Sequence, residues 1–576
     1  MSLMSSFYTG VSGLNASQNS LNTTSHNLAN VETKGYVRQQ ISQADRTYLR
    51  LGINHLTTLQ VGLGADISSV RQVRDIFLDK SYRQEVGRQG FYEAQYEAVQ
   101  EVEGMFGELE GVTFQDALED LWASLQELSK DPSDVTRSSL IDSAVHFLDR
   151  ANIISQQLNA YQVNLNKQIT DKVDRINEIA ESIDGLNKQI SYYESNKVEN
   201  ANDLRDERNS LLDELGQIIS ITYKENADGT VSVSAEGVQL VTEDRTFKMG
   251  TAKVDPTSDL IKPVWISHGD IDVFNLNRAP SMNNNTDIGS LKGLLVTRGS
   301  DAADYTDNFQ REDFATLDEF EYAKSIYNNK TAPSIIMSVQ AGFDTLIHRI
   351  VTAINDVLCP NKEVTLTDGS GITLKVFDEE NAPAGMDADR TTGEALFNRK
   401  SVDRYREPTA YEIANSGGAI TASSRIYVEE EPSDRNTLFT IGEIEINKEI
   451  LENNSKLPIN SRTGTQDYDR TKLDQLLTNW QASFASVSPD STTKLNINDY
   501  YSALIGEVAN RGEQYSAMST HQATMVNSID NQRQETSGVS SDEELTNLIK
   551  FQHAYNASAR YITVISEMLE HIVTRL

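Results

Sequence analysis

The sequence predicts a mainly α fold with β insertions: terminal coiled-coil helices, a long-helix rod domain and a central β-rich outer region. Three observations carry this. Both ends of the 576-residue chain place apolar residues at the three-four spacing of a coiled-coil seam. A longer run of the same kind covers residues 145–193, which as one straight helix spans roughly 70 Å at about 1.5 Å per residue. Between helical stretches, residues 221–285 and 361–435 turn to short alternating runs and polar turn sequence.

A chain of this length exceeds what one core can hold. The expected order is residues 1–45 as the first half of a terminal coiled-coil domain and 46–220 as the first part of a helical rod. Residues 221–285 follow as a β-rich insertion, 286–360 as the returning rod, and 361–435 as a second β- and loop-rich insertion. Residues 436–535 complete the rod and 536–576 the terminal coiled coil. Helices at both ends and β material in the middle bring the termini together at one pole.

In the first stretch Phe7, Leu14, Leu21 and Leu28 recur every seven residues, with Val11 and Val31 on the same side. In the last, Leu545, Leu548, Gln552, Tyr555, Ala559, Ile562, Ser566, Leu569, Val573 and Leu576 alternate steps of three and four, and no Gly or Pro interrupts residues 539–576. Each stripe is too thin for a globular core. The N-terminal stretch is also rich in Ser, Thr and Asn, weak helix formers that leave a lone helix marginal in water. The ends are therefore expected to fray in a free monomer and to order in an assembly. The alternative is a helix pair within one chain.

The first helix is expected to stop near Asn30, a residue suited to a left-handed cap, with Gly35 supplying a positive-φ turn. Residues 36–70, with Gly52, Gly62 and Gly64, read as a connector with small strands. Residues 71–130 read as helix broken near Gly104, Gly107 and Gly111. Thr113 with Asp116 reopens it as a capping pair, and Asp131-Pro132 closes it. In the long helix, Leu148, Ala151, Ser155, Leu158, Gln162, Leu165 and Ile169 lead into Val173, Ile176, Ile179, Ile183, Leu186, Ile190 and Tyr193. The four-plus-four step at Leu165–Ile169–Val173 is a stutter. Asp228-Gly229 between Ile221–Tyr223 and Val231–Ala235 reads as a hairpin. Residues 335–358, a helix from Leu473 and another over about 500–536 complete the rod.

Lys plus Arg number 51 and Asp plus Glu 85, a formal charge of −34, which argues against nucleic acid and anionic membrane as partners. Cys359 is the single Cys, so no intramolecular disulfide is expected. The start MSLMSSFYTG lacks the basic and apolar regions of a secretory signal, and no apolar run reaches transmembrane length. The eight His residues are scattered, so no metal and no cofactor is expected. Asp387-x-Asp389-x-Thr391 begins like a calcium loop, but Thr392 and Asn398 stand where Gly and Glu belong. Glu429-Glu430-Glu431 reads as a solvated loop. No nucleophile elbow or phosphate loop is present, so no catalytic residue is assigned.

Four stretches carry a resemblance. Asn27-Leu28-Ala29-Asn30-Val31-Glu32-Thr33-Lys34-Gly35-Tyr36 matches the signature of flagellar rod, hook and hook-associated subunits. Asn202–Arg208 with Leu211-Leu212, and Gly289-Ser290-Leu291-Lys292-Gly293-Leu294-Leu295, resemble segments of the hook–filament junction subunits. Ser537-Gly538-Val539-Ser540-Ser541-Asp542-Glu543-Glu544, followed by Phe551-Gln552 and Ala554-Tyr555, is the most specific stretch. Together they resemble the hook-associated protein 1 family of bacterial flagella over roughly residues 1–220, 286–360 and 470–576. The likeness is weak over 361–435, where Arg399–Glu407 and Val428–Asp434 look peculiar to this chain.

The resemblance implies a structural, non-enzymatic subunit, exported unfolded through the flagellar type III channel by a chaperone that holds the C-terminal region. It implies a ring of about eleven copies closed on itself, with hook protein below and the second hook-associated protein above, outside the cell. Terminal seam residues would then pack neighbouring copies. A hook or distal rod subunit, or an axial protein carrying a hydrolase insertion, are the alternatives.

Overall fold

The computed structural model describes residues 3–33, 35–46, 48–54, 57–107, 113–195, 200–256, 258–462 and 468–575. Lys34, Gly111 and Leu576 of the readings above lie outside them.

The fold class is mainly α, with small sheets set into the middle of the chain. Helix α1 (Leu3–Ala29) leads into strands β1 (Gln39–Asp45), β2 (Leu49–Asn54), β3 (Thr57–Val61) and β4 (Ala65–Gln72). β1 pairs antiparallel with β4, and β2 with β3. Asn30 does not take the left-handed cap: among the described residues positive φ falls on four non-glycines, none of them Asn30. Its side chain instead donates back to the His26 carbonyl at 3.0 Å, and the left-handed turn is made by Gly35 at φ +83°.

The rod begins with α2 (Ile76–Phe106), which runs through Gly104 without a break and ends at Gly107. Gly104 is tolerated because helix propensity is a small term beside tertiary packing. Thr113 and Asp116 form a reciprocal capping box at the start of α3 (Phe114–Lys130). The long helix α4 (Asp134–Glu194) begins eleven residues earlier than the apolar run, because Ser133 and Thr136 cap it there. Its 61 residues make a rod of about 90 Å. Leu158, Gln162, Leu165, Ile169, Val173, Ile176, Ile179, Ile183, Leu186 and Ile190 are all buried, while Ile154 takes the place expected of Ser155, and Tyr193 is exposed.

Helix α5 (Asn202–Ile218) is followed by β5 (Ile221–Glu225), β6 (Val231–Ala235) and β7 (Val238–Val241), a three-stranded meander turning at Gly229. A second sheet joins β8 (Met249–Lys253), β9 (Ile261–Trp265) and β10 (Ile271–Asp272) in the order β10-β9-β8. The rod resumes with α6 (Ser290–Arg298), α7 (Leu317–Lys330) and α8 (Ile335–Leu358).

The second insertion holds β11 (Asn361–Thr365), β12 (Thr373–Phe377), β13 (Phe397–Arg399), β14 (Tyr405–Arg406), the short helix α9 (Ala410–Asn415), β15 (Ile426–Tyr427) and β16 (Ile444–Ile446). β16 pairs with β13, so β material continues past residue 435, and the short α10 (Lys448–Glu452) follows it. Three-residue strands carry too little alternation to register in a sequence. Arg399 and Arg404 stack on Tyr427 and Phe439 within this insertion. Glu430 is not solvated as the acidic run implied. It accepts from the Tyr305 hydroxyl at 2.5 Å and the Phe439 N–H at 3.2 Å, and lies 3.1 Å from His348 Nε2. Against a burial that would raise it, the bonds from His348, Tyr305 and Phe439 hold its carboxyl down to about 2. Helices α11 (Arg470–Gln481), α12 (Ile497–Ser537) and α13 (Ser541–Arg575) complete the chain.

The main apolar core lies in the rod and the insertions. It runs from Ala94 to Val508 and includes Phe114, Phe147 and Phe343, with no residue of α1, β1, β4 or α13 among the described residues.

Candidate assembly surface and the joint behind it

α1 and α13 pack antiparallel within one chain. Gly10 lies against Ile562 and Tyr561, Gly13 against Ser558, and Asn27 meets Glu544. The sequence favoured ends ordered only by neighbours. Close approach explains the difference. The buried residues of α1 are Ser5, Gly10, Ser12, Ala16, Ser17, Ser20, Thr24 and Asn27, all small or polar. Ser17 and Ser20 donate to the carbonyls four residues back, at 2.8 and 2.9 Å, which satisfies their hydroxyls without a partner helix.

The apolar seam residues are placed unevenly. Phe7, Leu14, Leu21 and Leu28 are half-buried, as are Leu548, Tyr555, Ile562 and Leu569. Leu545 is 46% exposed and Val573 75%, so α1 covers neither. The stripe of α13 that loses exposure is Glu544, Leu548, Phe551, Tyr555, Ser558, Ile562, Ile565 and Leu569. It is offset from the predicted seam because α13 carries two apolar stripes, and α1 meets the one that begins at Glu544. The other stays open: Tyr561, Val564, Met568 and Ile572, with Met4 and Tyr8 of α1, are 43–53% exposed.

Behind this pair, the motif residues converge. The Asn27 side chain is 1% exposed and uses every hydrogen-bonding capacity it has. Its Oδ1 accepts from the Tyr36 hydroxyl at 2.8 Å and the Gln39 N–H at 3.0 Å. Its Nδ2 donates to the Gln39 carbonyl at 2.9 Å and to Glu544 at 3.2 Å. Glu544 in turn accepts from Arg38 Nε at 2.8 Å, and the Arg38 N–H donates to the Ser537 carbonyl at 2.8 Å. Because the Tyr36 proton goes to Asn27, the 2.9 Å contact from His26 Nδ1 to Tyr36 requires Nδ1 to donate. Burial first, then the neighbouring Asp203, Asp206 and Glu544 charges, raises the Tyr36 phenol above its ordinary range.

Other motif residues have plainer positions. Leu28 is half-buried, Ala29 exposed, and Thr33 donates to Asn30 Oδ1 at 3.1 Å. Gly538 donates to the Gln534 carbonyl at 2.8 Å, ending α12, and Val539 is half-buried. Asp542 is exposed in the first turn of α13, where a carboxylate favours the helix dipole, and Glu543 sits 3.2 Å from Arg38.

The Asn202–Arg208 segment is the rod side of the joint. Asp203 and Asp206 face the terminal region. Gln39 Nε2 donates to Asp203 at 3.1 Å, and the Val37 N–H (3.2 Å) and Gln72 Nε2 (2.8 Å) donate to Asp206. Burial pushes the Asp206 carboxyl up to about 7, against the Val37 N–H, Arg74 and Gln72 that favour its charge. Arg205 and Arg208 face the first insertion. Arg205 pairs with Glu194 and Glu225, and Arg208 donates to Asn187 and the Gly229 carbonyl. The Gly289–Leu295 motif is a packing device: a Cβ on Gly293 would sit 2.7 Å from the Phe91 carbonyl oxygen.

Both Asp387 oxygens accept from Thr391, closing the calcium-like loop on itself. Among the described residues no group of three metal-ligating side chains occurs, and no helix is long and apolar enough to cross a membrane.

Comparison with known proteins follows the same outline. Residues 99–323 match the family model described as the flagellar hook-associated protein FlgK helical domain. Residues 7–36 and 530–575 match models of flagellar basal body rod proteins and of the C-terminal region of the FlgEFG rod proteins. Flagellar hook-associated protein 1 of Bacillus subtilis is 27% identical over 97% of this chain and 96% of its own length. Over nearly its whole length the chain is similar to the flagellar hook-associated protein 1 family. Flagellar hook-associated protein 1 from Escherichia coli and from Salmonella typhimurium are 24% and 27% identical to it, each over 98% of both chains. The solved structure of the flagellar hook junction protein FlgK from Burkholderia pseudomallei aligns over 80% of this chain and 100% of its own, at 14% identity and a TM-score of 0.45.

Proposed function

We infer that this chain is a structural subunit of the flagellum that forms the junction between hook and filament. The observation that carries the reading is the terminal helix pair, whose second apolar stripe is left about half exposed in the single chain. Tyr561, Val564, Met568 and Ile572 lie at the end of the pair remote from the rod, level with Met4 and Tyr8. Covering half-exposed side chains of this size contributes on the order of 1 kcal/mol each.

Charge supports the same use. The chain carries −34, yet the 27 residues of α1 contain no Asp, Glu, Lys or Arg. Copies brought together through α1 avoid the repulsion that the rest of the surface imposes. The seam residues Phe7, Leu14, Leu21, Leu28, Leu548, Tyr555, Ile562 and Leu569 hold the pair, while Leu545 and Val573 are left exposed at the two ends of α13. A ring of about eleven copies, closed by a heterologous interface, would stand on the hook and receive the second hook-associated protein. The export chaperone would shield α13 before assembly. The role is mechanical, and no catalysis is proposed.

The test is a deletion of the gene, viewed by electron microscopy with the culture medium assayed for flagellin. Bare hooks with secreted, unpolymerised flagellin are expected. Absent hooks would place the chain lower in the axis, and intact filaments would remove the junction role.

A further inference from the structure

The β insertions meet the rod through one repeated contact. On α4, Asn177 donates from Nδ2 to the Met249 carbonyl at 2.9 Å and accepts the Met249 N–H on Oδ1 at 3.0 Å. Asn187 does the same with Val231, at 2.9 and 3.0 Å. Asn166 donates to the Asp259 carbonyl at 3.0 Å and accepts the Ile261 N–H at 3.3 Å. On α8, Asn355 takes both groups of Phe397, at 2.8 and 3.1 Å. Each side-chain amide stands where the backbone of a further strand would, because it carries the same donor and acceptor side by side.

The placement is regular. Asn166, Asn177 and Asn187 lie eleven and ten residues apart, close to three turns at about 3.6 residues per turn, so they share one side of α4 at intervals of about 16 Å. The strands they meet have a free edge there. β8 is the outer strand of its sheet, β7 pairs with β6 from Val233 to Ala235 and leaves Val231 uncovered, and β13 pairs with β16 alone. Val231, Met249 and Phe397 are buried, so their backbone groups need a protein partner. Apolar contact alone does not fix the level. Val231 and Met249 share a core with Ile169 and Ile183 of α4, but hydrophobic burial is non-directional and the helix is 61 residues long. Two opposed hydrogen bonds select one turn. Buried guanidinium groups orient two of the amides, since Arg298 Nη1 donates to Asn166 Oδ1 at 2.6 Å and Arg208 Nη1 to Asn187 Oδ1 at 3.0 Å.

We propose that Asn166, Asn177 and Asn187 on α4, with Asn355 on α8, are docking keys that hold the β insertions at fixed levels of the rod, and that removing a key lets its strand edge lift while the helices stay packed. The keys belong to the single chain, whatever it assembles with.

Hydrogen exchange of the full-length protein, read by mass spectrometry, tests this. In Asn177→Leu the peptide holding the Met249 amide is expected to exchange about tenfold faster or more, the effect of losing two buried bonds. The peptide holding Phe397 should match the parent. Asn355→Leu should reverse the pattern, releasing Phe397 and leaving Met249 protected. Peptides from α2 and α3 should match the parent in both. Asn164→Leu, at an exposed position of α4, is the control and should change none of them. Full protection of Met249 in Asn177→Leu and of Phe397 in Asn355→Leu would show that apolar packing alone holds the strands. Faster exchange of α2 and α3 along with the strands would show that the amides merely support the core as a whole. Either result overturns the keys.

Discussion

The crossing of α2, α5 and α6 offers the sharpest mutational test of the packing. All nine residues of α6 are buried. A Cβ placed on Gly293 would meet the Phe91 carbonyl oxygen at 2.7 Å, the Ala94 Cβ at 3.1 Å and the Phe91 Cα at 3.2 Å. Two of these are backbone atoms, so no rotamer change relieves them and the helices must part. Relief elsewhere is blocked, since a Cβ on Gly87 would lie 2.5 Å from the Gly216 carbonyl, and Gly289 holds φ +97° while its N–H donates to the Gly87 carbonyl at 2.8 Å. Ala is favoured over Gly in a helix by about 1 kcal/mol, and overpacking costs about 1–3 kcal/mol. Gly293→Ala is therefore expected to lose up to about 2 kcal/mol net, with a lower melting temperature. Gly185→Ala is the internal reference. It lies in α4 with no atom within 4 Å of the added methyl, so it should gain about 0.5–1 kcal/mol. Urea denaturation of the two full-length variants, followed by far-ultraviolet circular dichroism, reads both signs. If Gly293→Ala proved as stable as Gly185→Ala, the close crossing would be wrong.

The buried carboxyls set a pH profile. Burial raises Asp344 and Asp206 to about 7 and Asp307 to about 6, so each binds its proton more tightly folded than unfolded. Their contribution to stability is full below about pH 4 and is lost as pH rises through about 6 to 7. Glu430 and Glu412, held near 2, act oppositely, and their contribution is lost as pH falls from about 4.5 through 2. Thermal melts should thus decline from pH 5 to pH 8, with a shallower decline in Asp344→Asn, and an equal slope in that variant would contradict the assignment. Cys359 is fully buried, and burial pushes its thiol up to about 12, so a thiol reagent should leave the native protein unmodified and react once urea unfolds it. Rapid stoichiometric labelling of native protein would show that the core around Cys359 is open.

Apolar periodicity made the rod legible. From Leu158 to Ile190 the buried face of α4 follows the expected series, stutter included, because its inward side chains are apolar apart from Gln162 and Asn187. Ile335–Leu358 and the capping box at Thr113 were visible for equally local reasons. The terminal pair was harder to phase. Its contact face is built from Gly10, Ser17, Ser20, Thr24 and Asn27, which a search for apolar stripes passes over. That face covers Leu548, Tyr555, Ile562 and Leu569 of the expected seam and leaves Leu545 and Val573 exposed. Motif residues could be singled out one by one, but the bonds from Asn27 to Glu544 and from Gln39 to Asp203 span hundreds of residues and exist only once the chain has folded. The second insertion was placed too short at its end because β16 spans three residues and its partner β13 lies far upstream.

The open stripe on the terminal pair is proposed as the surface that neighbouring subunits cover. The direct measurement supplies a gene-deletion strain with full-length protein carrying Val564→Glu and Met568→Glu, positions 52% and 50% exposed in the single chain. Electron micrographs of the cells are read alongside the variant recovered from the medium. The account predicts an exported, folded monomer, bare hooks and unpolymerised flagellin. Filaments of normal length on those hooks would contradict it, because two carboxylates in a covered apolar stripe could not then be tolerated.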